Sequence, residues 1–260
     1  MFRAIVAVAA ACLMTATVHA QQAPAPSRLD DIIKRGTLRV GMTGDYLPFT
    51  SLDKATSKFR GFDVDMAEAL GEALGVKVEY VPTAWPQLMK DFEADNFDIA
   101  MGGVSITLDR QKKGFFSTPI MREGKTPIAR CADKDKYDTL AEIDKPGTRV
   151  IVNPGGTNER FARAHVKYAE IRVYNDNVTI FDEIAKGNAD LMMTDASETR
   201  YQQKLHAGVL CAVHPEAPFD FAEKAYWLQR DVALKAFVDQ WLHIAIQDGT
   251  FKRIYAAWFE

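Results

Sequence analysis

The sequence predicts an α/β protein of two lobes, each a mostly parallel sheet flanked by helices, joined by a hinge that the chain crosses twice. Three observations carry this. Short β-rich runs alternate with helical runs, the spacing of parallel sheets. The alternation falls into two series that part near Gly124. The tail, residues 233–259, is helical, and its Phe237, Trp241, Ile244, Ile254 and Trp258 need a surface to cover. The first series has fewer helices for its strands, so the tail belongs with it and the chain must return across the hinge. Lobe 1 is then residues 28–123 and 222–260, and lobe 2 residues 124–221. A cleft between two lobes is a default place for a small-molecule site.

In order, residues 29–35 read as a short amphipathic helix and 38–42 as the first strand. That strand runs into a loop, residues 43–49, carrying Asp45 and the aromatics Tyr46 and Phe49. Residues 62–74 form a helix with Val64, Ala67, Leu70 and Leu74 on one face, closed by Gly75. Strand 77–81 runs towards Trp85, a helix spans 86–94, and strand 97–104 ends just before Ser105, Thr107 and Arg110. In the second series 125–131 is a strand, 139–144 a short helix, and 149–153 a strand leading to Pro154-Gly155-Gly156-Thr157. Helix 158–166, strand 170–174 and helix 177–186 follow. The apolar run 189–194 reads as a strand covered on both faces, feeding a helix that opens at Asp195 and reaches about His206. Strands 209–213 and 224–228 precede the tail, which Asp248-Gly249 interrupts.

Of 260 residues, 47% are hydrophobic and 26% charged, as in ordinary soluble globular chains. A net charge of −3 leaves no basic footprint and argues against a nucleic-acid partner. Residues 1–20 have the anatomy of a secretory leader: Arg3, an apolar run over 4–14, and a small-residue cleavage site at Val18-His19-Ala20. The apolar run is too short to span a bilayer, so no membrane insertion is expected after cleavage. Residues 21–27 form an Ala/Pro-rich tether. Cleavage leaves Cys131 and Cys211, and an even pair in an oxidising compartment predicts a disulfide. A bacterial periplasm is the expected destination.

The histidines show no ligand spacing, no glycine-rich dinucleotide fingerprint follows a strand, and no nucleophile elbow is present. No metal or cofactor is therefore expected, which leaves non-covalent binding or acid/base work by carboxylates. The strand-end loops form a set. Arg110 can grip a carboxylate with two parallel hydrogen bonds, beside Ser105 and Thr107. Gly155, Gly156 and Thr157 offer N–H groups at a helix start, though a tight turn explains the glycines as well. Tyr46, Phe49 and Trp85 could wall a flat ring. Asp195 suits an N-cap and Glu198 the far side of a capping box. The same two acids also stand where open α/β sheets bind ligands, which makes Glu198 a candidate acid catalyst.

Over nearly all the mature length the chain resembles the periplasmic solute-binding proteins of the polar amino-acid type. The resemblance rests on residues 38–42 with Pro48-Phe49, on 61–65, 97–100 and 105–110, and on the Gly155-Gly156-Thr157 and Met193-Thr194-Asp195 motifs. It implies a fold of two lobes closing on a ligand, with Arg110 and Thr157 on an α-carboxylate and Asp195 on an α-amino group. Longer runs are similar to the cyclohexadienyl dehydratases: residues 43–49, 81–86, 151–159, 176–181, 190–196, 211–215 and 219–226. That resemblance implies loss of water and carbon dioxide from prephenate, giving phenylpyruvate, and from L-arogenate, giving L-phenylalanine, with Glu198 as the acid. Phe49, Trp85, Asn153 and Glu198 together favour the enzyme, while Arg110 and Asp195 serve either reading. The alternative is an amino-acid receptor that delivers its ligand to an ABC importer.

Overall fold

The structure, a computed structural model, describes residues 27–260; the expected leader and tether, apart from Ser27, lie outside the described residues. Helix α1 (Arg28–Arg35) starts on a capping box, with the Ser27 hydroxyl accepting from the Asp30 N–H and the Asp30 carboxylate accepting from the Ser27 N–H. Strand β1 (Thr37–Met42) follows and buries Leu38 and Val40. The expected loop after it holds more structure than its sequence suggests. Strands β2 (Asp45–Tyr46), β3 (Thr50–Asp53) and β4 (Lys58–Arg60) form a small antiparallel sheet. These strands are short and mostly exposed or half-buried, so they carry no alternating apolar signal.

Helix α2 (Phe62–Leu74) has its expected bounds and buries Val64, Ala67, Leu70 and Leu74. Then come β5 (Lys77–Pro82), α3 (Leu88–Glu93), β6 (Ile99–Ala100), α4 (Leu108–Gln111), β7 (Phe115–Phe116) and β8 (Met121–Glu123). The strand expected over 97–104 stops at Ala100, because Gly102 and Gly103 turn the backbone at φ 139° and 67°, conformations outside any strand.

The second lobe is built from β9 (Lys125–Arg130), α5 (Leu140–Ile143), β10 (Arg149–Val152), α6 (Thr157–His165), β11 (Glu170–Val173), α7 (Ile180–Ala185), β12 (Leu191–Asp195), α8 (Ala196–Leu205) and β13 (Leu210–Ala212). The chain returns through β14 (Ala222–Lys224) and β15 (Trp227–Leu228), and ends in α9 (Val232–Gln247) and α10 (Thr250–Phe259). Strands β8 and β14, where the chain passes between the lobes, pair antiparallel with Lys224 opposite Met121.

The two large sheets have the orders β5-β1-β6-β15-β7 and β11-β10-β12-β9-β13. They are mixed rather than mostly parallel. Strand β1 is parallel to β5 and β6, and β10 to β11 and β12, but β15 and β9 each run antiparallel to both of their neighbours. Both of these strands enter their sheet straight from the hinge, without the crossover helix that a parallel partner requires.

Helices α9 and α10 cover the core around Leu38, Val40 and Leu70. The buried stripe of α9 is Leu234, Val238, Trp241, Leu242 and Ala245, so Ile244, expected inside, points away and is 52% exposed. The Cys131–Cys211 disulfide forms, with Cα atoms 4.7 Å apart. It staples β13 to its neighbour β9 rather than joining opposite edges of the lobe.

Candidate active site

Asp195 ends β12 and is buried between the lobes. Sequence spacing makes it an N-cap, but its side chain caps nothing. Its Oδ1 accepts from Lys125 Nζ at 2.6 Å, and its Oδ2 from Lys224 Nζ at 2.5 Å and from the Tyr46 hydroxyl at 2.5 Å. The first turn of α8 is served instead by Glu123 of β8, whose Oε2 accepts from the Ser197 N–H at 2.9 Å. Burial pushes the Asp195 carboxyl up, but the two ammonium groups outweigh it and hold the group well below the usual carboxylate range. The lysines shift in opposite senses. Burial lowers Lys125 despite Asp195, whereas Asp195 and Glu123 together overcome burial and keep Lys224 above its ordinary value.

Glu198, one turn further, is equally buried and is not part of a capping box. Its Oε2 accepts from the Thr194 hydroxyl, and among the described residues no cation pairs with it. Burial pushes its carboxyl well above the ordinary range; the Thr194 bond, next in size, pulls it down, the charges of Asp195 and Asp45 push it up further, and Lys125 pulls down least. A relay of amides orders this corner. Lys125 Nζ donates to Asn158 Oδ1 and Thr157 Oγ1, and Asn158 Nδ2 donates to Asn153 Oδ1 at 2.9 Å and to Thr194 Oγ1 at 3.0 Å. The two acids thus differ in kind: Asp195 is clamped by two ammonium groups and held low, Glu198 is pushed up and held by one hydroxyl.

One cavity lies beside them, and its wall includes Tyr46, Trp85, Ser105, Asn153, Thr157 and Asp195. Asp45, Phe49, Thr107, Arg110 and Glu198 stand outside that wall. Tyr46 and Trp85 meet edge to face at 5.6 Å, and Phe49 stacks behind Tyr46 at 5.1 Å instead of facing the cavity. Asp45 accepts from Trp85 Nε1 at 3.1 Å and so fixes that ring. Thr107 caps α4 by accepting from the Arg110 N–H. Arg110 donates to the Ser105 carbonyl at 2.8 Å and pairs with no carboxylate among the described residues. Burial pushes its guanidinium down to about 10, Arg160 adds to this, and Asp195 opposes it. Across the cleft Asn177 Nδ2 donates to the Asp45 carbonyl at 2.9 Å. The Gly155 N–H is taken by the chain's own carboxylate, Glu159 Oε2, at 2.8 Å, and a Cβ on the glycine would sit 2.6 Å from Pro86 Cα. The glycine lets the lobes meet.

Residues 38–260 match the bacterial extracellular solute-binding proteins, family 3. The chain belongs to that family. It is 56% identical to the cyclohexadienyl dehydratase of Pseudomonas aeruginosa over 250 residues, 96% of this chain and 91% of that one. It is 29% identical to an L-cystine-binding protein of Escherichia coli over 89% of this chain and 85% of the other. Among solved structures it is similar to an ancestral cyclohexadienyl dehydratase (52% identity, TM-score 0.56, 90% of this chain and 97% of the other). It is also similar to an ancestral amino acid-binding protein, a precursor of cyclohexadienyl dehydratase (38% identity, TM-score 0.83, 90% and 100%).

Within this family 3 chain, sequence reasoning missed Lys125, Lys224 and Glu123, and with them Asn158 and Asn177. Lys125 opens a strand whose next four residues are buried, and Lys224 is followed by four buried residues, Ala225 to Leu228. A lysine inside an apolar run is the available signal, since lysine is almost never fully buried unless paired. No helix among the described residues is long and apolar enough to cross a membrane.

Proposed function

We propose that this chain is a cyclohexadienyl dehydratase, a carbon–oxygen lyase of the periplasm that acts on prephenate and L-arogenate. One observation carries the reading: in a chain 56% identical to a cyclohexadienyl dehydratase, Glu198 is a buried carboxylic acid with no cation on it, beside a clamped, ionised Asp195. The substrate is a cyclohexadiene with a carboxylate on one ring carbon and a hydroxyl on the carbon opposite. The bond to the carboxylate breaks, its electron pair enters the ring, carbon dioxide leaves, and the C–O pair departs with the hydroxyl. Glu198 gives that hydroxyl its proton, so water leaves, and solvent restores the proton before the next turnover. Aromatisation supplies the drive, and one positioned acid contributes about 10²- to 10⁴-fold.

The other roles follow from the chemistry around the cavity. Arg110, buried without a carboxylate partner, suits a substrate carboxylate. Ser105, Asn153 and Thr157 supply hydrogen bonds, and Tyr46 and Trp85 wall the ring. Phe49, Asp45 and Thr107 act one step back, on Tyr46, Trp85 and α4. Burial first, and then the charge of Asp195, push the Glu198 carboxyl up. The test is formation of phenylpyruvate from prephenate by the purified mature protein. No turnover, together with tight binding of an amino acid, would favour the importer-receptor reading instead.

A further inference from the structure

The hydrogen-bond relay beside Glu198 has a polarity, and that polarity decides which oxygen of the acid carries its proton. The point deepens the dehydratase reading above and rests on it. The Asn158 amide is fixed by three partners. Its Oδ1 accepts from Lys125 Nζ, an ammonium that can only donate, so the amide cannot be turned over. Its NH₂ gives one hydrogen to Asn153 Oδ1 at 2.9 Å and the other to Thr194 Oγ1 at 3.0 Å. Asn158 and Thr194 are both buried, and Thr194 lies within β12, paired with Thr126 of β9.

The Thr194 hydroxyl therefore receives a hydrogen from Asn158 and has one of its own to give. Among the described residues, Glu198 Oε2 is the acceptor placed for it. In a protonated carboxyl the better acceptor is the carbonyl oxygen, so the acid hydrogen belongs on the other oxygen, Oε1. No described residue takes Glu198 Oε1, which leaves that hydrogen uncommitted. The charged groups that weigh on Glu198 are Asp195 of β12, Asp45 of β2 and Lys125 of β9, and none of them hydrogen-bonds it. Orientation of the acid thus falls to Thr194.

We infer that Asn158 and Thr194 are positioning residues of the reaction, holding Glu198 Oε2 as an acceptor and leaving the proton on Oε1 for the substrate hydroxyl. When the proton goes to that hydroxyl, the electron pair of the O–H bond stays on Glu198. The Thr194 hydroxyl then steadies the new carboxylate, a charge-assisted bond stronger than the one to the neutral acid. It so offsets part of the burial that weakens Glu198 as an acid.

The experiment records infrared difference spectra of the mature protein, parent minus Glu198→Gln, beside kcat and KM for prephenate across pH. The parent is expected to show a protonated-carboxyl C=O band that the Gln variant lacks. Thr194→Val keeps the size and loses the hydroxyl. A carbonyl without its donor stretches at higher frequency, so the band should move up, and the pH at which it disappears should rise. In the same variant kcat should fall about tenfold or more with KM little changed, the size expected for one hydrogen bond to a charged group. Thr194→Ser keeps the hydroxyl and should behave as the parent. Asn158→Asp still accepts from Lys125 but sets an oxygen where the NH₂ stood. The Thr194 hydrogen then turns away from Glu198, and the band shift and rate loss of Thr194→Val should reappear. A folded Thr194→Val or Asn158→Asp that keeps the parent's band and kcat overturns the inference, as does a parent without the band. A parent that turns over no prephenate defeats the dehydratase reading, while the band still decides the relay.

Discussion

Replacing Glu198 by Gln tests the proposed chemistry at one atom. The amide has the size of the acid and can still accept from the Thr194 hydroxyl, but it cannot give up a proton as a carboxylic acid does. Turnover of prephenate should fall by about 10²- to 10⁴-fold. Stability at neutral pH should hardly change. Burial and Asp195 push the Glu198 carboxyl up; for a protonated Glu198 the exchange swaps one neutral hydrogen-bonding group for another, at a cost within about 1 kcal/mol. An ionised Glu198 predicts something different: removing a buried, unpaired charge would stabilise the fold measurably.

The pH dependence separates the two further. A carboxyl whose folded pKa is raised binds its proton more tightly in the folded state, so its contribution is present at low pH. That contribution is lost as pH rises from the ordinary 4.5 towards the folded value. The parent should therefore show a falling limb in kcat at high pH, as Glu198 loses its proton, and that limb should vanish from the residual rate of the variant. The assay is phenylpyruvate formation across pH beside thermal unfolding. Undiminished turnover in a folded Gln variant would take Glu198 out of the mechanism.

Three further outcomes are expected. Arg110→Lys keeps the charge but loses the planar fork, so KM for prephenate should rise about 10- to 100-fold with little change in Tm, the size expected for charge-assisted hydrogen bonds; unchanged KM would make Arg110 a structural residue. Thiol titration of the unfolded, unreduced protein should find Cys131 and Cys211 unreactive, and replacing both with Ser should cost about 2–5 kcal/mol in denaturant unfolding. Asp63 is buried at the start of α2, where its Oδ2 accepts from the Gly103 N–H, and burial pushes its carboxyl from 3.8 to about 7. It therefore takes stability away as pH rises from 4 to 7, and Asp63→Asn should flatten the Tm–pH curve across that window.

The sequence showed the periodic elements well and the paired ones badly. Helix α2 and strand β12 announce themselves by an apolar period that burial enforces. The sheet of β2, β3 and β4 does not, because its strands are too short and too exposed to need one. Site residues at a strand end or the helix start after one, such as Asp195 and Thr157, follow from topology and local motif. Lys224 and Glu123 do not, because their meaning comes from the pairing of β8 with β14, which brings residues 101 positions apart to within 3.4 Å. The capping box failed for the same reason. A local rule assigned Asp195 to its own helix, and long-range partners outbid it, with two lysines and a tyrosine taking the carboxylate.

That displacement has a mechanistic consequence. Two acids one turn apart in a buried cleft would by default compete for a single proton, and either could hold it. The lysines settle the competition. With Asp195 held low by them, its charge adds to the burial that already pushes the Glu198 carboxyl up. Tyr46 comes from β2 of the first lobe and Asp195 from β12 of the second, and Lys224 reaches them from the returning hinge strand. The arrangement therefore exists only while the lobes are together. On the proposed dehydratase reading, the same contacts that hold the lobes together set the strength of the acid, so the clamp on Asp195 would serve both binding and proton transfer.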